Sequence, residues 1–278
     1  MRKILALGAA LAAALAIGIV PASAITDGQP DAANDYPHVG LMVAHAANGV
    51  PLWRCSGTML SSTVFLTAGH CTEAPAAHVE IFFSSGYPTP IPLGNWAGPG
   101  TSCAGKSGYP CDGDAEGTPQ THPSYDPNAF FLFDLGVVQL STPFPRSEYG
   151  ILPSLNQLDA LTTRRGQQDR TFTAVGYGLQ LSSPVASHNL ALRTRMIAHP
   201  KLNQINGGIV GDFAMLLSNN SHTGGTCFGD SGGPNFVGNS NVVAGVTSFG
   251  LNGNCAGTGG VYRVDRADDL NWLDGFLP

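Results

Sequence analysis

The sequence is short of charge: only 12% of its 278 residues are Asp, Glu, Lys or Arg, while 43% are apolar. Its net charge of −6 leaves it without the basic surface that nucleic acids need, and its apolar content excludes a disordered chain. The HExxH and paired CxxC patterns of zinc sites are missing, as is any membrane-spanning apolar run after residue 20. We therefore expect no nucleic-acid partner, no membrane association, no metal and no cofactor.

The first 24 residues have the pattern of a secretory signal peptide. Arg2 and Lys3 precede an apolar run over 4–20, and residues 22–24 form a small-x-small cleavage site. A membrane span is the alternative, but the run is at the lower length limit and no basic flank follows it. The pattern predicts a secreted, extracellular protein whose mature chain begins at Ile25.

Six cysteines follow this segment, and an even number in an exported chain indicates three disulfides. They are Cys55, Cys71, Cys103, Cys111, Cys227 and Cys255. Residues 84–130 read as one long, proline-rich loop, which a compact domain accommodates when it is stapled. A Cys103–Cys111 bridge would supply that staple.

The rest of the chain has the texture of a β protein. Short runs rich in Val, Thr and Phe alternate with turn residues, which predicts a barrel or sandwich. These runs cover 39–44, 64–68, 79–83, 135–140, 170–175, 241–249 and 261–264. The segment 142–145 reads as a linker. One helix is predicted at the end, over about 266–276, with Asp265 as its cap.

The strongest chemical signal is Ser231 within the Gly-Asp-Ser-Gly-Gly run 229–233. Flanking glycines allow a substrate to approach closely, and successive N–H groups can stabilise an oxyanion. The run also fits the nucleophile elbow of α/β-hydrolases, but that fold needs its histidine after the serine. The last histidine here is His222, which excludes the elbow.

A serine nucleophile needs a base and an orienting carboxylate. His70 follows an apolar strand and precedes Cys71, and a Cys55–Cys71 bridge would pin it to a hairpin. Asp134 opens an apolar strand and is the first choice for the carboxylate, with Asp126 as the alternative.

Together these motifs resemble the chymotrypsin/trypsin-like serine endopeptidases. The similar segments are Thr-Ala-Gly-His-Cys at 67–71, Gly-Asp-Ser-Gly-Gly-Pro at 229–234, the Gly-Tyr-Gly of 176–178 and Thr-Ser-Phe-Gly at 247–250. The order His, Asp, Ser along the chain is also the family's. The resemblance implies an all-β domain over 25–278, with two packed antiparallel six-stranded β-barrels, about 25–142 and about 146–264, and a C-terminal α-helix.

The resemblance also implies the roles of individual residues. His70 would be the general base, Asp134 its orienter and Ser231 the nucleophile. The N–H groups of Gly229 and Ser231 would form the oxyanion hole. Asp230 would pair with the freed amino group of Ile25 once the N-terminus inserts.

The substrate site follows from the same resemblance. A Cys227–Cys255 disulfide would brace a specificity pocket, and Ser248 would donate a hydrogen bond to Asp134. The backbone of Ser248, Phe249 and Gly250 would pair with an extended peptide substrate as an added strand. Trypsin-type enzymes carry an aspartate where this chain has Gly225, and Gly250 and Gly260 would leave the pocket walls open. An uncharged pocket predicts cleavage after bulky apolar residues.

Some residues depart from the family's pattern. The mature start reads Ile25-Thr26-Asp27-Gly28 instead of Ile-Val-Gly-Gly, and Phe249 replaces a tryptophan. The acidic run 112–117 hints at a calcium loop, but Pro123 stands where the bidentate glutamate belongs.

The sequence is consistent with two functions. The first is an active, monomeric endopeptidase with polypeptide substrates and protein inhibitors as partners. The second is a catalytically silent relative that binds proteins through the same cleft.

Overall fold

The computed structural model describes residues 25–161, 170–183, 185 and 189–278. The predicted signal peptide, residues 1–24, lies outside these described residues. Within them the protein is an all-β fold, as predicted, built of two barrel-like sheets with short helices at the edges.

The first barrel closes from six antiparallel strands in the order β2-β3-β4-β7-β6-β5. They are β2 (Val39–His45), β3 (Pro51–Met59), β4 (Val64–Thr67), β5 (His78–Phe82), β6 (Ala115–Thr121) and β7 (Gly136–Leu140). Its core side chains include Leu41, Phe65 and Ile81, all fully buried. Gly57 leaves room for Phe65, because a Cβ at Gly57 would lie 2.4 Å from that ring.

The second sheet has eight strands in the order β1-β9-β8-β12-β13-β14-β11-β10. They are β1 (Gln29–Pro30), β8 (Phe172–Gly176), β9 (Met196–Ala198), β10 (Leu202–Ile205), β11 (Ala214–Asn219), β12 (Pro234–Val237), β13 (Val243–Gly250) and β14 (Gly257–Arg263). Strands β9 and β10 follow each other closely, yet they pair with β8 and β11 at opposite sides of the sheet. In this sheet β1 and β10 are the two edge strands, so it has eight hydrogen-bonded strands where six were predicted.

Three local expectations were wrong. Residues 84–130 are not one loop, because β6 lies inside them. The N-terminal strand β1 pairs with β9 of the second sheet, although the range predicted for the first barrel includes it. The final helix, α2 (Ala267–Asp274), is shorter than predicted and has Arg266 at its N-cap. Asp265 instead forms an ion pair with Arg263, at 2.9 Å.

A buried arginine joins the two barrels. Arg195 is fully buried and forms an ion pair with Asp31 at 2.7 Å. Its guanidinium also donates to the carbonyl oxygens of Val39 and Phe83 in the first barrel and to the hydroxyl of Tyr177 in the second. These hydrogen bonds fix the two barrels against each other. The candidate site lies where their loops meet.

Candidate active site

His70 lies in a short helix directly after β4. This helix, α1 (Gly69–Thr72), is tied to β3 by the disulfide between Cys55 and Cys71. The Nδ1 atom of His70 lies 3.0 and 2.9 Å from the two carboxylate oxygens of Asp134, and the His70 backbone N–H donates to the same carboxylate at 2.9 Å. Asp134 is fully buried just before β7, so the pair is shielded from water on the carboxylate side.

A hydroxyl group holds the same carboxylate from another direction. Ser248, on β13, donates a short hydrogen bond from Oγ to Oδ2 of Asp134. Burial by itself lowers the pKa of His70, but the charge and hydrogen bond of Asp134 outweigh it, and the pKa is raised above its ordinary value. Because Nδ1 is committed to Asp134, Nε2 is the nitrogen left to accept a proton.

Asp126, the alternative carboxylate, has a different task. It accepts a hydrogen bond from the backbone N–H of Asn128 at 2.8 Å and caps the 3₁₀-helix Pro127–Ala129. The structure therefore brings Asp134, and not Asp126, to His70.

Ser231 lies in a tight turn that touches both barrels. Its carbonyl oxygen accepts from the N–H of Ser56 in β3 at 2.8 Å. Gly232 has a φ of +75°, and a Cβ there would lie 2.0 Å from Oγ1 of Thr67, just ahead of His70. Only a glycine therefore allows the turn to approach the His70 segment so closely.

In the described part of the chain, the Ser231 hydroxyl and the His70 imidazole are not hydrogen-bonded to each other. Within the described residues, the side-chain hydrogen bonds of His70 both go to Asp134. Ser248 lines the same pocket as Ser231 and bonds Asp134, so one strand is the common neighbour of both groups. Catalytic hydrogen bonds are often long until a substrate binds, so this geometry is compatible with proton transfer.

Asp230 is a fully buried carboxyl group in the same turn. Its two oxygens accept from the backbone N–H groups of Gly178 at 2.7 Å and Cys227 at 2.9 Å. Burial raises the pKa of Asp230 to about 7, against the opposing effects of these donors and of Arg54. Gly178 is required for this contact, since a Cβ there would lie 2.5 Å from Oδ2 of Asp230.

Ile25 is buried in the same half of the molecule. It is fully buried with three residues of the second sheet, Ala174, Met196 and Ala198. Thr26 then pairs with Gly225 in an isolated β-bridge. In the complete sequence the nitrogen of Ile25 is part of a peptide bond with Ala24, so it carries no charge until that bond is cut.

A pocket of about 90 Å³ opens next to Ser231. No charged side chain is among the described residues that line it. They are Thr226, Cys227, Phe228, Ser231, Thr247, Ser248, Phe249, Gly250, Asn252 and Cys255. The Cys227–Cys255 disulfide closes one side, and the edge of β13 forms the other.

Two of the predicted substrate-binding residues, Gly225 and Gly260, lie outside this lining. Gly225 packs against Asn219 and donates its N–H to the carbonyl of Thr26. The ring of Phe249 covers Gly260, because a Cβ on that glycine would lie 2.4 Å from the ring. Their places beside the pocket are taken by residues such as Thr226 and Asn252, which no motif had marked.

A second acid, which no sequence motif marks, lies next to His70. Glu73 contributes a charge that raises the pKa of His70, and the Tyr125 hydroxyl is its neighbour. The pKa of Glu73 is itself raised, mainly by burial. Tyr125 also contacts the backbone of Gly69, since a Cβ there would lie 3.0 Å from its ring. No local pattern marks this contact, because the partners are about 50 residues apart.

Residues with metal-ligating side chains meet on the outer face of β5 and β6. Ligand atoms of His78, Glu80 and Glu116 lie within 4.8 Å of one another, and the His78 ring already bonds Glu80 at 2.8 Å. In the acidic run 112–117, Asp114 accepts from the N–H of Phe83. These contacts are explained by hydrogen bonding within the chain.

Comparison with known proteins places this architecture in a family. The family model described as Trypsin matches residues 25–270, and the chain belongs to that family. It is 28% identical to a chymotrypsin of Phaedon cochleariae over 91% of this chain and 82% of that one. It is 25% identical to phenoloxidase-activating factor 3 of Holotrichia diomphalia, over 90% of this chain and 71% of that one.

Solved structures show the same fold at lower identity. The chain is similar to HL collagenase, with a TM-score of 0.64 and 17% identity over 90% of this chain and 97% of that one. It is also similar to human heparin binding protein, with a TM-score of 0.61 and 17% identity over 90% and 95% of the two chains. The protein therefore has a trypsin-like serine protease fold. In the described part of the chain, no helix is long and apolar enough to cross a membrane.

Proposed function

We propose that this chain is a secreted serine endopeptidase that cleaves polypeptides through an acyl-enzyme intermediate. The observation that carries the proposal is the hydrogen-bonded array from Ser248 through Asp134 to His70, beside the turn that bears Ser231. Membership of the trypsin family supports polypeptides as the substrate class.

In the proposed reaction, His70 Nε2 takes the proton of the Ser231 hydroxyl as Oγ attacks the scissile carbonyl carbon. Asp134 keeps the imidazole in the required tautomer and stabilises the imidazolium. The N–H groups of Gly229 and Ser231 stabilise the oxyanion. His70 then gives its proton to the leaving amine, and a water molecule activated by the same imidazole hydrolyses the acyl-enzyme.

The substrate is proposed to lie along the edge of β13 as an added strand. Ser248, Phe249 and Gly250 offer this edge, and the adjoining pocket receives the side chain before the scissile bond. Two phenylalanines and an uncharged lining favour a bulky apolar side chain there. A cleavage profile on a denatured protein mixture tests this: enrichment of Phe, Tyr and Leu supports it, and a dominance of Arg or Lys contradicts it.

The proposal includes activation by removal of the N-terminal segment. The mature domain is 25–278, and cleavage after Ala24 gives Ile25 an ammonium group. This charge pairs with Asp230, because a buried carboxylate is costly without a counter-charge. Export and activation are then one event without a propeptide. N-terminal sequencing of the secreted protein is expected to read Ile-Thr-Asp-Gly, and any other start contradicts this step.

The competing function is a silent protease fold that binds proteins through its cleft, since a fold alone does not decide activity. A fluorophosphonate that reacts with activated serines separates the two. Labelling of correctly processed protein that disappears in Ser231→Ala supports the endopeptidase, whereas an unlabelled but folded wild-type protein supports the binder. Sedimentation of the same sample tests the expected monomer, and titration with serine protease inhibitor proteins tests the expected inhibitors.

A further inference from the structure

A buried polar cluster joins β14 to α2 near Asp134. Tyr262, on β14, directs its hydroxyl at the carboxylate of Asp269 on α2, at 3.0 Å from each oxygen. Tyr262 is 2% exposed and Asp269 is 1% exposed. Burial raises the pKa of Asp269 to about 7, so this contact exists at a considerable desolvation cost. The proposed reaction uses neither residue.

The residue before Asp134 has an unusual backbone. Phe133 has a φ of 51°, in the left-handed region that is strained for a residue with a Cβ. Such a conformation persists when its surroundings impose it. It also decides where the next side chain points, because the rotation at residue 133 sets the direction from which the Asp134 carboxylate reaches His70.

Tyr262 is one of the groups that surround Phe133. Burial, together with Asp269 and the charge of Asp134, raises the pKa of the Tyr262 hydroxyl, and the Phe133 backbone opposes this rise. Phe133, Tyr262 and Asp269 line one cleft of about 280 Å³ between the segment before β7 and the start of α2. The hydroxyl therefore lies between the C-terminal helix and the Phe133 backbone.

His122 holds the other face of Phe133. The two rings stack at 5.1 Å with 10° between their planes, and the edge of His122 meets Trp272 of α2 at 5.0 Å. The backbone N–H of His122 donates to the carbonyl of Leu135 at 2.9 Å, just beyond Asp134. The segment 133–135 therefore contacts α2 both through His122 and through Tyr262.

We propose that Tyr262 is a positioning residue: with its hydroxyl fixed by Asp269, it holds the Phe133 backbone so that the Asp134 carboxylate faces His70. The C-terminal helix then takes part in the alignment of the site as well as in packing. This inference rests on the proposed function for its effect on rate. The His70–Asp134 geometry itself can be measured without any catalysis.

The test compares Tyr262→Phe with Tyr149→Phe. Tyr149 also loses one hydroxyl hydrogen bond, at 3.0 Å to the backbone N–H of Arg146, but it belongs to neither the site nor the cleft. We expect Tyr262→Phe to lower kcat about 10-fold, as small misplacements of catalytic groups do, and to leave KM unchanged. The Tyr149 variant is expected to keep the wild-type kcat.

Two changes at Asp269 separate positioning from simple stability. Asp269→Asn keeps an acceptor oxygen for the Tyr262 hydroxyl and is expected to retain the wild-type kcat. Asp269→Ala removes the acceptor and is expected to match Tyr262→Phe. If Tyr262→Phe and Asp269→Ala lose only melting temperature and keep kcat, the positioning role is overturned.

A proton NMR measurement keeps this test separate from the proposed function. The His70 Nδ1 proton, held by a carboxylate, gives a low-field signal whether or not the protein hydrolyses peptides. We expect the signal to shift or broaden in Tyr262→Phe and Asp269→Ala and to remain in Asp269→Asn and Tyr149→Phe. An unchanged signal in all four variants contradicts the positioning role, whereas a normal signal in a wild-type protein without hydrolysis contradicts the proposed function alone.

Discussion

Asp134 and Asp230 are both fully buried aspartates, about 100 residues apart; the first bonds His70 and the second precedes Ser231 in the chain. Asp134 has an imidazole, a hydroxyl and a backbone N–H as partners. Asp230 has two backbone N–H groups, and burial raises its pKa to about 7. Asp134 thus has its partners in the uncut chain, whereas Asp230, under the activation proposed above, gains its counter-charge only after processing.

The largest expected effect on activity comes from Asp134. Asp134→Asn keeps the size of the side chain but cannot hold His70 in the required tautomer, so kcat should fall about 10,000-fold with little change in KM. Asp126→Asn is the matched control, since it alters a nearby carboxylate that caps a 3₁₀-helix, and its kcat should stay within about 2-fold. Equal losses in both variants would erase the distinction between these carboxylates.

The next effect concerns Asp230 and the pH dependence of the free energy of unfolding. Asp230 has a raised pKa, so the uncut fold holds a proton that the unfolded chain releases, and stability is lost as pH rises from about 4 to about 7. A free amino group at Ile25 should remove this loss, which is at most about 4 kcal/mol for about three pKa units.

Urea unfolding of two Ser231→Ala proteins measures this difference. One protein begins at Ile25 and the other carries two extra residues before it; both contain Asp269, whose raised pKa therefore cancels in the comparison. The difference between the two should grow from pH 4 to pH 7. Parallel pH profiles would show that Asp230 gains no partner on processing.

A smaller effect is expected from Asp230→Asn in the processed protein. The amide leaves the Ile25 ammonium buried and without its counter-charge, which should disturb the Gly229 turn and lower kcat/KM about 100-fold. The protein with the N-terminal extension should be affected much less in its unfolding free energy. Fluorophosphonate labelling of the processed wild-type and Asp230→Asn proteins measures the first effect, and urea unfolding of the two extended proteins measures the second. An unchanged labelling rate would contradict the pairing of Ile25 with Asp230.

The smallest effect concerns the base itself. Because the pKa of His70 is raised, kcat/KM should increase with pH along a curve whose midpoint lies above 6.5. Glu73 is a minor cause of the rise, so Glu73→Gln should move the midpoint down without abolishing activity. A profile that is flat from about pH 5 to pH 9 would contradict His70 as the base.

Much of the fold could be read from short-range patterns. The strands β2, β4, β5 and β7 lie within a residue of the runs predicted for them, because alternation and turn residues are local signals. Strand β6 was missed, since Pro119 and its polar neighbours read as a loop. Its pairing with β5 and β7 supplies the stabilisation that its own composition lacks.

The site divides in the same way. Ser231 and His70 stand in local motifs, so their identity needed no coordinates. Gly225 and Gly260 were expected to bind substrate, but Gly225 packs against Asn219 and Gly260 lies under the ring of Phe249. No local motif predicts these contacts.

The sequence alone determined the class of fold, the expectation of three disulfides and the residues proposed to carry the chemistry, because each follows from composition or from short motifs. Only the tertiary structure decided that Asp134 rather than Asp126 reaches His70, that β1 joins the second sheet, and that Tyr262, bonded to Asp269, lies near Asp134. These contacts join residues many tens of positions apart, and burial and backbone direction select among them only once both barrels have closed.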